Sequence, residues 1–103
     1  MDNRQYILNL VKQRIHNIDP EARIILFGSR ARNDFHKDSD WDFLILTNRT
    51  INRELKNQIS DTLFETELET DQVLTSIVQN SNAWNNYSIL PIYINIKKDG
   101  IEL

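Results

Sequence analysis

Apolar positions recur along this chain in two rhythms, and each change of rhythm marks an element. Within residues 2–18, Ile7, Leu10, Val11, Ile15 and Ile18 return every three or four positions, which predicts a helix with one apolar stripe. Asp19-Pro20 predicts its end, because the residue before a proline avoids the helical region. Arg23 to Phe27 (RIILF) is a short apolar run and predicts a buried strand. Gly28 to about Arg32 predicts a turn leading into the first turn of a helix, and Asn33 to Ser39 a polar loop. Trp41 to Leu46 (WDFLIL) is a second apolar strand. From about Thr50, Ile51, Leu55, Ile59 and Leu63 at a spacing of four predict a second helix. Gln72 to Val78 (QVLTSIV) predicts a third strand, which has room to begin near Thr66. Pro91 to Asp99 predicts a last short helix, with proline at its first position and Gly100 past its end. The order helix, strand, strand, helix, strand, helix predicts an α/β fold: a small mixed sheet of three to four strands with helices mainly on one face.

Composition narrows the class. A length of 103 residues suits one domain, 1–103, and 40% hydrophobic residues suffice for a core. Cysteine is absent, which excludes disulfides and thiolate metal sites and fits a cytoplasmic protein. The net charge of −3 argues against direct nucleic-acid binding, which usually draws on a basic excess. No apolar run reaches the length of a membrane span, and residues 1–14 do not read as a signal segment. No membrane partner is expected.

One stretch, LFGSRARNDFHKDSDWDFLIL (residues 26–46), is not explained by core packing. Asp40 and Asp42, two apart at the head of a strand, point to the same face and repel each other. A hard divalent cation relieves that repulsion, and Mg²⁺ is commonly held by one or two carboxylates plus substrate phosphates. Gly28 allows close backbone approach, N–H groups after it can meet an anion, and the Ser29 hydroxyl adds a donor. Taken singly, each feature also fits a plain turn or a solvated strand cap. Together they read as two ends of a metal–triphosphate clamp.

Gly28, Ser29, Arg30, Ala31, Arg32 and Asn33, followed by Ser39, Asp40, Trp41, Asp42, Phe43, Leu44 and Ile45, resemble the signature of the DNA polymerase β nucleotidyltransferase superfamily. The similarity is to its minimal, antitoxin-type branch, often encoded beside a HEPN-domain partner, and Lys97 to Ile101 resembles the usual C-terminus of that family. The resemblance implies a polymerase-β-like fold and transfer of a nucleoside monophosphate, AMP from ATP, to a hydroxyl of a protein partner. It also implies two Mg²⁺ ions, with Asp40 and Asp42 as metal ligands and Gly28 and Ser29 at the phosphates. Asn33 stands where glycine is usual, and asparagine tolerates a left-handed backbone. Trp41 replaces a smaller aliphatic residue and is expected to pack on the face away from the aspartates.

Arg30 and Arg32 are candidates for triphosphate binding, with solvated surface charge as the plainer alternative, and Lys37 is a weaker case. His36 is expected in an exposed loop and His16 on the polar side of its helix. Trp84, Tyr87 and Tyr93 could stack on a base but suit a core better. Asp61, Glu65, Glu67, Glu69 and Asp71 accumulate where a helix end prefers bases. The family draws a third carboxylate from the neighbouring strand, as metal ligand and base. A strand from Thr66 would put Glu67, Glu69 and Asp71 on one face, and Asp71 is ranked first. The competing class is a non-catalytic module that neutralises a HEPN-type toxin by contact; retention of two mutually repelling acids favours the enzyme.

Overall fold

A computed structural model describes residues 3–103, so the expected helix start at position 2 lies outside the described residues. The helices are α1 (Arg4–Ile18), α2 (Ser29–Arg32), α3 (Arg53–Thr70), α4 (Ser81–Trp84) and α5 (Pro91–Asp99). The strands are β1 (Arg23–Phe27), β2 (Trp41–Thr47), β3 (Leu74–Asn80) and β4 (Ile101–Glu102). They form one mixed sheet in the order β3-β2-β1-β4. β1 runs antiparallel to β2 and to β4, whereas β2 and β3 are parallel. Parallel neighbours need a long crossover, and α3 supplies it. The expected α/β architecture is therefore present.

Alternation along β2 divides the core in two. Trp41, Phe43 and Ile45 join Ile24, Leu26 and Leu74 beneath α1 and α3, with Ile7, Val11, Ile15, Leu55, Ile59 and Leu63 filling the layer. Leu44 and Leu46 face the other way and meet Trp84 and Ile96 from α4 and α5, with Ile25, Phe27, Ile77 and Tyr93 at the margin. The two long helices share one face, as the pattern predicts, and the short ones cover part of the second. Trp41 packs on the α1–α3 side, away from Asp42, as expected.

Several boundaries differ from the expectation, each for a local reason. Leu8 is buried in α1 while Leu10 is only half-buried, because Leu8, three and seven positions before Val11 and Ile15, lies nearer the centre of the face they share. α3 begins at Arg53 rather than near Thr50: the Asn52 side chain accepts from the Leu55 N–H at 2.8 Å and caps the helix. At its other end α3 continues through Glu67 and Glu69, and Asp71 stops it in a left-handed conformation (φ 56, ψ 35). β3 therefore starts at Leu74, not at Gln72 or Thr66. Asn80, through its side chain, accepts from the N–H groups of Asn82 and Ala83 and starts the unexpected α4. The unexpected edge strand β4 pairs with β1 over two positions and is pinned by Arg23 to Glu102 at 2.8 Å.

Candidate active site

The site gathers at the entry of β2. Asp42 pairs across the sheet with Phe27 on β1 and with Thr75 on β3. Asp40 is exposed just before the strand; the next residue, Trp41, is already tied in by its N–H to the Val73 carbonyl at 2.9 Å. Gly28 follows Phe27 directly and adopts φ 77, ψ −160, a region essentially closed to other residues. A Cβ built on it would stand 2.3 Å from Asp42 Oδ2, inside any permissible contact. Glycine is thus required twice, by the backbone angle and by a carboxylate lying against its Cα. That contact joins the Gly-Ser turn to Asp42.

Ser29 opens α2, which is a single turn. Its geometry is closed from inside: the Ala31 and Arg32 N–H groups donate to the Gly28 carbonyl at 3.1 and 3.2 Å. Asn33 ends α2 with φ 64, ψ 23 and sends its N–H to the Ser29 carbonyl. Asparagine therefore sustains the left-handed turn where glycine is usual.

The two arginines part company. Arg30 is buried, although the sequence offered it for triphosphate binding. Its guanidinium lies 4.5 Å from the Phe35 ring centre and 4.3 Å from the Trp41 ring centre. It donates from Nε and Nη2 to the Ser39 carbonyl at 3.3 and 3.1 Å, and from Nη2 to the Lys37 carbonyl at 3.1 Å. Burial, with a smaller contribution from Arg4, lowers its pKa. Arg30 is a strut for the 33–39 loop and so for the approach to Asp40, because carbonyls of an irregular loop need donors. Arg32 stays exposed, with Nε 3.3 Å from Asp34. With Phe27, Gly28, Ile92, Asn95 and Ile96 it lines a cavity of about 290 Å³ beside the Gly-Ser turn.

The acids near residue 70 are not a strand face, since Glu67 and Glu69 lie on α3 and Asp71 is its cap. Glu69 pairs with Arg14, whose guanidinium hydrogen bond holds its carboxyl below the ordinary range. Glu67 accepts from the Leu74 N–H at 3.3 Å. The strand from Thr66 that would have put Glu67, Glu69 and Asp71 on one face is therefore absent. Among the described residues no three Asp, Glu, His or Cys side chains cluster as a metal site. The β3 residue opposite Asp42 is Thr75, and its hydroxyl donates to Asp42 Oδ1 at 2.5 Å. Sequence reasoning missed Thr75; only the β2–β3 register reveals it.

A family model described as a nucleotidyltransferase domain matches residues 7–102. The chain belongs to that family. Among solved structures, one described as a toxin-antitoxin with AMP-PNP shares 17% identity at a TM-score of 0.66, covering 91% of this chain and 69% of its own. Another, described as a toxin-antitoxin MntA-HpeT mutant, shares 17% identity at a TM-score of 0.61, covering 100% and 72%. At that identity the likeness establishes the fold, which is the polymerase-β-like one the sequence signature implies. No curated protein matches the sequence. Among the described residues no helix of this nucleotidyltransferase domain is long and apolar enough to cross a membrane.

Proposed function

We propose that this nucleotidyltransferase moves AMP from ATP to a hydroxyl of a protein partner, in the cytoplasm, as an antitoxin acting on a HEPN-type toxin. The observation that carries it is the close approach of Asp42 Oδ2 to Gly28, which supports reading the Gly-Ser turn and the aspartates as one site. The donor set fits Mg²⁺: Asp40 and Asp42 offer hard oxygen ligands and leave the remaining positions to phosphate oxygens. Two ions are part of this proposal, and bound there they would offset charge on the attacking and leaving oxygens. The Ser29 hydroxyl, at the start of α2, orients the triphosphate, and Arg32 borders the adjoining cavity. The acceptor oxygen bonds to the α-phosphorus, the bond to the bridging oxygen breaks, pyrophosphate leaves, and the hydroxyl proton passes to solvent.

Support for the nucleotide comes from the structural neighbour solved with AMP-PNP, and for a toxin partner from the toxin-antitoxin description of both neighbours. Ile89, Leu90, Ile92 and Ile94 are each exposed around the start of α5, apolar side chains compatible with such contact. Calorimetry with ATP, with and without EDTA, tests the donor half: binding should require Mg²⁺ or Mn²⁺. Incubation of the purified chain with a HEPN-type toxin and ATP tests the acceptor half. A gain of adenylate mass on the toxin is the expected result. Neutralisation without any mass change would point to the contact-only module.

A further inference from the structure

We infer that Thr75 is a positioning residue for the metal-binding carboxylate of Asp42, an inference that rests on the function proposed above. Parallel register sets Thr75 directly across from Asp42, on the same side of the sheet. Its hydroxyl donates to Oδ1, while Oδ2 of the same carboxylate lies against the Cα of Gly28. The carboxylate is thus tied at one oxygen by a donor on β3 and flanked at the other by the backbone at the end of β1. Oδ1 keeps a further lone pair after accepting one hydrogen bond, so it remains able to bind a cation. Thr75 is β-branched and confined at χ1 by its strand, which makes it a fixed donor rather than a mobile one. The ordinary alternative is a strand threonine that satisfies a neighbour; two features argue against it. Asp42 is half-buried and Thr75 exposed, so water could serve either group if the hydrogen bond had no directional purpose. The carboxylate held this way is also the one that lies against Gly28 of the Gly-Ser turn.

A partner that orients a metal ligand typically changes affinity by about 10–100-fold when removed. The test compares Thr75→Val, which keeps the shape and loses the donor, with Thr75→Ser, which keeps the donor. Three-bond couplings to Asp42 Cγ in the metal-free protein report its χ1. One rotamer is expected in the parent and in Thr75→Ser, with averaging in Thr75→Val. Mn²⁺ titration followed by electron paramagnetic resonance should then give affinity about 10–100-fold weaker for Thr75→Val and near the parent for Thr75→Ser. An unchanged rotamer in Thr75→Val, or equal losses in both variants, would overturn the positioning role. A parent that binds no Mn²⁺ while the rotamer responds as expected would overturn the metal assignment and leave Thr75 as the orienter of Asp42.

Discussion

At the exit of β2 the Thr47 hydroxyl donates to Asp19 Oδ2 at 2.6 Å, and at its entry Thr75 donates to Asp42 Oδ1. The chemistry is the same and the surroundings are opposite. Thr47 and Asp19 are both buried, and Asp19 also accepts from the Glu21 N–H at 3.2 Å with Arg49 Nε at 3.9 Å. Each of those contacts satisfies a charge taken out of water, and together they tie the end of α1 to the end of β2. Asp42 is reachable from solvent, has a second carboxylate two residues away, and faces a glycine with no side chain. Its surroundings leave the charge available. A buried, fully partnered acid stabilises a fold, whereas a held but accessible acid can bind a ligand.

That contrast predicts separable losses, and Asp42→Asn should give the largest. Nucleotidyl transfer should fall by roughly a hundredfold or more, as for removal of a metal ligand, while the unfolding midpoint stays close to the parent. Single-turnover assays beside denaturant titration measure both, and a retained rate would remove the functional half of the contrast. Gly28→Ala should damage both properties at once. The added Cβ meets Asp42 Oδ2 and the backbone lies in a glycine-only region, so stability should drop by roughly 2–3 kcal/mol.

Thr47→Val should do the reverse of Asp42→Asn. It leaves the buried Asp19 carboxylate short of a donor and should cost about 1–2 kcal/mol, with the Glu21 N–H limiting the loss. Metal and ATP affinity should be unchanged in that variant, and a weakened site would mean that the two ends of β2 are coupled. The smallest effect concerns the edge strand. Arg23, by hydrogen bonding, holds the Glu102 carboxyl below the ordinary glutamate range. A carboxyl with a lowered folded pKa stabilises the protein above its unfolded value, and that contribution is lost as pH falls through the folded pKa. Both groups are substantially exposed, so Glu102→Gln should cost only about 0.2–1 kcal/mol at neutral pH. The difference from the parent should vanish on acidification below the ordinary glutamate range, which paired denaturant titrations at descending pH would measure.

The elements that alternation and helical spacing predict are present because each depends on local chemistry. RIILF and WDFLIL had to be buried strands, Pro91 had to begin a helix, and Ile59 and Leu63 had to face a core. The close link between Gly28 and Asp42 was also legible: a glycine before a serine and acids two apart each fit a turn or a strand cap alone, but together they read as two ends of one clamp. Residues whose role depends on distant partners were not legible. Arg30 carries the same charge in a phosphate site and in a strut; the Ser39 and Lys37 carbonyls and two aromatic rings settle which. Asp71 ranks first as an acid just before a strand, and Glu67 and Glu69 join it on one face if that strand begins near Thr66, yet the same letters sustain a helix when Leu63 and Thr66 pack against the core. Thr75 is invisible in the sequence for a stricter reason. Alternation fixes which face a side chain takes, but the register between parallel strands is set by the length and packing of the helix that joins them. Only the folded β2–α3–β3 unit decides that a threonine, and not an acid, stands opposite Asp42.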